Sequence, residues 1–443
     1  MRDKVAAVIG GSIAGLLAAK ALAPHFGKVV LFERDAIRGA TELRKGAPQA
    51  AHVHVLLAAG ATAIEHAFPG IFDAVSARGG LYLDMGEENN WFYFGVWKRR
   101  MELGIKVRIQ SRLLLEELIR ERTLALDNVE LRTAGVGELS WFEGKPRVAT
   151  RDEVQGFDFV VDASGRGSQL PKWLETAGFS RPESDSAEVN VTYTTARFRP
   201  RAGRDWRCVL IYPSPPREKC AGAVVPTESG EVLVSLFGWC GEHTAAHDAA
   251  FLEFAQRLPR PEIAELIASS DRTSPFRQFH YKDARLNHYE RLARFPPATV
   301  VMGDALCSVD PVFGQGMTVA ALSAEVLGVC ARECNGDLDR LAQRFRSDVV
   351  RAYRTAWSLS TTEDFRYPGV TGARPFGTSV AHYYTRRVHE LTATDADVAR
   401  RFASVMHLLA EPKVLFHPSV VWKVLSAPLA STLKEAPRPT RAS

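Results

Sequence analysis

The chain has 443 residues, 46% of them hydrophobic and 24% charged, which suits a folded core and excludes a disordered or fibrous chain. Its 56 Lys and Arg against 51 Asp and Glu leave a dispersed net charge of +5, so no nucleic-acid surface is expected. The six cysteines show no paired spacing, so no metal site is expected. With no signal-peptide pattern at the start and no apolar run of ~18 residues, a reduced cytoplasmic protein without stable membrane insertion is the expectation.

Residues 5–9 read as a buried parallel strand ended by glycine, residues 13–23 as a helix stopped by Pro24, and residues 28–32 as a second apolar strand. Between the first strand and the helix stands Gly10-Gly11-Ser12-Ile13-Ala14-Gly15. In a dinucleotide fingerprint the early glycines allow a tight turn and bring backbone N–H groups close to a pyrophosphate, and the last lets helix and strand pack closely. The helix N-terminus then favours the phosphate charge. Ser12 replaces the second glycine of the strict pattern. Glu33, followed by Arg34, ends the second strand where a carboxylate accepts hydrogen bonds from a ribose diol and repels a 2′-phosphate, so the nucleotide is expected to be FAD- or NAD-like.

Residues 113–124 form an amphipathic helix by their pattern, and 157–161 another buried strand. From about residue 185 the texture changes. Residues 189–198, 207–212, 221–225 and 231–238 are short strands separated by Pro, Gly and Ser, which predicts an antiparallel sheet. Helical patterns follow at 250–258 and 262–268, a buried strand at 298–302 and an apolar helix at 317–329. Beyond about 340 the pattern is mostly helical, and no structure is expected of the Arg-rich tail after Ala436. The strand at 298–302 leads into Gly303-Asp304-Ala305 and then Asp310-Pro311-Val312-Phe313-Gly314-Gln315-Gly316-Met317. Asp304 suits a ribityl or ribose hydroxyl. Pro311 with Gly314 and Gly316 predicts a loop tight enough for backbone to approach a flat ligand. A helix beginning near Met317 would aim its positive end at that ligand.

The two motifs, about 290 residues apart, resemble the FAD-binding elements of class A (single-component) flavoprotein monooxygenases with the parahydroxybenzoate-hydroxylase-like fold. Within residues 1 to about 345, the segments 44–49 and 52–57 resemble the bacterial natural-product hydroxylase and epoxidase branch. Ser111-Arg112-Leu113 resembles that family's arginine-bearing helix start. The resemblance implies an α/β fold in which a Rossmann-like FAD-binding domain (1–180 and 290–345) is interleaved with an antiparallel-sheet substrate domain (181–289), with a helical region after it (346–443). It implies non-covalent FAD, contacts from Arg44 and Arg112 to the nucleotide, and NAD(P)H as reductant. It also implies transfer of one oxygen atom from O2, through a flavin C4a-hydroperoxide, to a bulky hydrophobic secondary metabolite such as a polyketide, terpenoid or prenylated quinoline.

Where the family has Asp-Gly followed by Ser and Arg, this chain has Asp162-Ala163-Ser164-Gly165-Arg166-Gly167-Ser168, and no second dinucleotide fingerprint is present. Reduction by an electron-donor partner therefore stands beside direct reduction by NAD(P)H. Two other functions stay open on the same resemblance: an alkene reductase of the geranylgeranyl-reductase type, and a carrier without flavin. No halogenase-type Trp-x-Trp-x-Ile-Pro segment occurs. His52 and His54 read as structural or as neighbours of the cofactor. The aromatic run at Trp91, Phe92, Tyr93, Phe94 and Trp97 reads as sheet packing or as a pocket wall, and Cys307 lacks partners for nucleophilic work. No catalytic side chain is singled out, as expected where the cofactor carries the chemistry.

Overall fold

A computed structural model describes residues 1–36, 43–201 and 203–427; the tail after Ala436 lies outside the described residues. The first strand, β1 (Val5–Ile9), is followed by α1 (Ile13–Leu22) and β2 (Lys28–Glu33). Continuing in chain order, β3 (Asn89–Tyr93), α2 (Arg112–Leu124), β4 (Val129–Thr133) and β5 (Phe159–Asp162) precede the long β6 (Ser184–Pro200). Then come β7 (Cys208–Ile211), β8 (Cys220–Pro226), β9 (Val232–Gly238), β10 (Arg277–Asn287) and β11 (Thr299–Val301). Helices α3 (Gly316–Glu333), α4 (Val350–Asp364), α5 (Thr378–Leu391) and α6 (Ala396–Met406) follow.

Five strands make a parallel sheet in the order β11-β5-β1-β2-β4. Its strands sit in one core cluster with residues of α1, α2 and α3 and with Leu139 and Val148 of a small three-stranded sheet, and such enclosure is why they are continuous apolar runs rather than alternating ones. Register decides where the site lies. Ile9 pairs with Asp162 and Asp162 with Val301, so three strands end level with one another although β11 comes some 290 residues after β1. The loops that leave these carboxyl ends carry Gly10, Ala163 and Gly303. A crevice outside the carboxyl ends of parallel strands is where such sheets bind ligands.

The second sheet runs β10-β6-β9-β8-β7-β3 along its main path and is antiparallel except where β3 pairs with β7 in parallel. Residues 89–97, expected within the first nucleotide-binding segment, belong to this sheet, Cys208–Ile211 pairing with Asn89–Phe92. The expected boundaries therefore shift, because the local pattern at 89–97 says nothing about a partner more than a hundred residues away. Every residue of β8 and β9 is buried. Phe251, Phe254 and Ile263, from two short helices, pack one side of the sheet, while Tyr367 and Val370, just past α4, join Tyr93, Tyr212 and Phe237 on the other. Among the described residues no helix is long and apolar enough to cross a membrane.

Two glycines show how tightly the first turn is built. Gly10 has φ +105°, and a Cβ there would stand 2.4 Å from the Ala163 carbonyl oxygen. A Cβ at Gly15 would stand 1.7 Å from the Gly10 carbonyl oxygen. Gly15→Ala should therefore force α1 away from β1 and cost about 3 kcal/mol or more, as overpacking of a close contact does. The midpoint of urea unfolding reads this directly, and an unchanged midpoint would refute the packing role.

Candidate functional site

A cavity of about 700 Å³ runs along the carboxyl ends of the parallel sheet towards the second sheet. Its wall contains Gly10 to Ala14, Glu33 with Arg34, Arg44 and Arg112, and then Asp304, Gly314, Gly316 and Met317. Of the residues picked out for nucleotide contact, Gly15 alone is missing from this wall. It lies behind the turn and acts through packing, because its neighbour is the Gly10 carbonyl rather than open space.

Gly10, Gly11, Gly303, Gly314 and Gly316 present backbone to the cavity. A Cβ at Gly316 would meet only Asp304 Oδ1 at 3.9 Å, so this position borders open cavity. Both helices that start at the cavity do so without a side-chain cap. Ser12 precedes α1, but its hydroxyl donates to Glu116 (3.0 Å) and accepts from Arg112 Nη2 (3.1 Å), and Gln315 likewise provides no cap for α3. Uncapped first turns leave N–H groups available to an anion, and the helix dipole adds to the attraction.

Charge is arranged around one buried carboxylate that sequence reasoning missed, Glu116. Arg44, Arg112 (3.5 Å) and Arg120 (2.7 Å) all pair with it. Burial pulls the Glu116 carboxyl up, but Arg112, Arg44, Arg120 and the Ser12 hydroxyl outweigh this and hold it below the usual carboxylate range. Arg44 also pairs with Glu33 at 2.6 Å, and Glu33 accepts from the Gly11 N–H (3.0 Å) and the Asp35 N–H (2.9 Å). Glu33 thus fixes the glycine turn and Arg44 as well as facing the cavity. Three guanidiniums against two carboxylates leave this end of the cavity positive.

Further along, His54 Nδ1–H donates to the His52 carbonyl (2.9 Å), which leaves Nε2 to accept from Arg112 Nη1 (3.4 Å). Burial first, and then Arg112, pulls its pKa down to about 3. His52 pairs through Nδ1 with Thr195 Oγ1 (2.7 Å), and burial lowers it to about 4. Both rings are in the cavity wall and neutral at physiological pH. Arg166, from the loop that departs from the family spacing, donates to the Asp283 carbonyl and to Ser308 Oγ, each at 2.7 Å, and lies 4.4 Å from the Tyr281 ring centre. That loop therefore ties the parallel sheet to the antiparallel one. Cys307 is buried and its thiol is pushed up, which suits packing.

A second cavity, of about 280 Å³, lies between the antiparallel sheet and the helices after residue 350. Trp91, Tyr93, Tyr212, Phe237 and Phe402 wall it. Of the aromatic run, Trp91 and Tyr93 face this cavity, whereas Phe92 and Trp97 pack on the opposite side of the sheet. The two cavities share Val53, Val55, Tyr193, Pro311 and Gly314. The loop at 311–314 is the partition between them.

No family model matches the chain. Protein Rv3254 of Mycobacterium tuberculosis (strain ATCC 25618 / H37Rv) is 29% identical over 402 residues, 83% of this chain and 81% of that one. Among solved structures, a flavoprotein/dehydrogenase from Cytophaga hutchinsonii superposes with TM-score 0.68 at 19% identity, covering 94% of this chain and 95% of its own. The flavin-dependent brominase Bmp2 gives 0.65 at 13% identity, with 91% and 93% covered. PqsL of Pseudomonas aeruginosa, a probable FAD-dependent monooxygenase, gives 0.59 at 19% identity, with 91% and 99% covered. The fold is that of the flavin-dependent monooxygenases and halogenases. In this flavoprotein fold the glycine motifs were readable because they are local. Glu116 was hidden as one acidic residue in an ordinary amphipathic helix; its only signal was its position four residues after Arg112.

The two neutral histidines give the flavoprotein fold a pH signature. Their native pKa values lie below the ordinary 6.5, so below that pH the unfolded chain takes up protons that the native chain refuses. Stability is therefore full above about pH 6.5 and falls as pH drops towards 4. For His52 the fall is on the order of 3 kcal/mol, from a shift of two to three units at 1.36 kcal/mol each. His52→Gln should lessen the slope of unfolding free energy against pH by up to one proton between pH 6.5 and 4. An unaltered slope would mean that the ring titrates in the native state.

Proposed function

We propose that the chain is an FAD-dependent monooxygenase acting on a hydrophobic, electron-rich substrate held in the second cavity. The observation that carries this reading is the partition at Pro311–Gly314: with Val53, Val55 and Tyr193 it forms the wall across which a glycine-walled, positively charged cavity meets an aromatic-walled one. The residues present fit FAD. Gly10, Gly11 and the uncapped start of α1 would receive the diphosphate, with Arg44 and Arg112 held beside it by Glu116 and Glu33. Asp304 would accept from ribityl hydroxyls, and the backbone from Gly314 to Met317 would border the ring system. When bound, FAD supplies the activation of O2 and the delivery of one oxygen atom, while the second leaves as water with two electrons from the reductant.

The chain's own contribution is positioning and exclusion of water. His52 and His54, neutral and hydrogen-bonded, would add no charge near the ring. Helices α4 to α6 cover the apolar cavity, and desolvation there favours oxygen transfer over loss of the activated oxygen to solvent. NAD(P)H is the proposed reductant, used at the exposed face of the flavin rather than in a second dinucleotide site. A volume of about 280 Å³ suits a compact polycyclic or terpenoid skeleton rather than a long chain.

Two measurements test this. Gly316→Val should leave the unfolding midpoint almost unchanged, because the new side chain meets open cavity, and should lower FAD affinity at least tenfold; wild-type affinity would remove this loop from the cofactor site. The reaction itself is read by mass spectrometry after turnover of a panel of polycyclic phenols and terpenoids with NADH or NADPH under ¹⁸O₂. One labelled atom in the product supports the reading. A product gaining two hydrogens and no label would make the chain a reductase.

A further inference from the structure

The wall of the second cavity carries the Trp91 indole, whose Nε1 is buried without a partner among the described residues, and two imidazoles, His407 and His389. His389, on α5, is 4% exposed and belongs to the cavity wall. Its ring packs edge-on against Tyr93, centre to centre 4.7 Å, and against Phe402 at 4.6 Å. Its Nδ1 lies 3.1 Å from Lys98 Nζ, and the same Nζ donates to the His389 carbonyl at 2.7 Å. Lys98 follows β3, the sheet segment opposite, and its Nζ is held over the rings of Trp91 (5.7 Å), Tyr93 (6.0 Å) and Phe402 (5.5 Å), whose faces favour a cation. Burial pulls the Lys98 ammonium well below its ordinary value, while Glu363 and Glu390 oppose the fall; where Nζ donates to Nδ1, the ring proton resides on Nε2. Nε2 has no hydrogen-bond partner among the described residues. An N–H at that position opens on the cavity, where a ligand acceptor can meet it.

We propose that His389, held by Lys98 as a positioning residue, is the specificity contact for the substrate: its Nε2–H donates to a carbonyl or phenolate oxygen on an otherwise apolar, flat molecule. The inference deepens the substrate reading above and rests on it. Among walls that are otherwise mostly aromatic and aliphatic, such a contact fixes which end of the substrate meets the partition at Pro311–Gly314. It also selects oxygen-bearing aromatic or quinonoid skeletons over plain hydrocarbons of the same size, because only the former offer this donor an acceptor.

The test is a binding measurement on the FAD-loaded protein without reductant, so it does not depend on turnover. Isothermal titration with 1-naphthol, 1,4-naphthoquinone and 1-methylnaphthalene compares two acceptor-bearing probes with a near-isostere that has none. Wild type should bind both oxygenated probes at least tenfold more tightly than the hydrocarbon. His389→Phe should abolish that preference while keeping the hydrocarbon affinity, and His389→Gln, whose amide can donate, should restore part of it. Lys98→Met should weaken the preference by releasing the ring tautomer. Equal binding of all three probes by wild type, or an undiminished preference in His389→Phe, would overturn the proposal. So would a preference for naphthol that naphthoquinone does not share. Loss of the ¹⁸O result with this selectivity intact would instead overturn the reaction class and leave the contact standing.

Discussion

Arg112 ties together three parts of the chain that share no local signal. Its guanidinium reaches Ser12 in the first glycine turn, His54 in the segment after Arg44, and Glu116 one turn along its own helix. Removing it would leave Glu116 with two of its three guanidiniums, Ser12 without one of its partners and His54 without its donor. The arrangement is costly to build, because several charged groups are withdrawn from bulk water together. It is tolerable only because each has an opposite partner. The same withdrawal gives the site its use. A positive cluster walled off on the protein side keeps its field directed into the cavity, where an anionic cofactor can complete its solvation.

Two loops then convert that charge into position. The glycine turn is clamped by Ala163 on one side and Glu33 on the other, so its backbone cannot drift from the sheet edge. The loop at 311–316 is clamped from the opposite direction. Asp310 caps it by accepting from the Val312 N–H (3.0 Å), and accepts from Tyr193 O–H at 3.2 Å. Its own N–H reaches Ser360 on α4. The helical region therefore roofs the apolar cavity and also fixes the partition between the two cavities.

How much of this was readable follows from distance along the chain. The strand–glycine–helix unit, the glycine turn after the strand at 298–302, and the start of α3 depend on neighbours within a few residues, so sequence spacing carries them. Arg44 and Arg112 were reachable through family likeness, although the carboxylate that gathers them was not. Residues 89–92 pair with β7 through contacts more than a hundred residues apart, and the apolar character of Trp91 to Trp97 fits either side of a sheet. Lys98 and His389 are 291 residues apart and lie in segments whose patterns read only as strand end and helix. Nothing local marks either one, because their significance is that the other is there.

The last link is between the helical region and the reacting end of the site. Asp364, at the end of α4, is buried beside Asp310, accepts from Trp239 Nε1 at 3.3 Å and receives Ser360 Oγ at 3.3 Å. Burial, and then the neighbouring Asp310, pushes its carboxyl well above the usual range. Two adjacent carboxylates in so dry a place cannot both be ionised, so the pair holds one proton between them. That shared proton turns a repulsion into a hydrogen-bonded bridge from α4 to the loop at 311–314. The bridge lets an apolar cavity share a wall with a charged one: the acidic groups that anchor the partition carry one negative charge between them rather than two, and the Tyr193 hydroxyl, the Val312 N–H and the Trp239 indole donate to it.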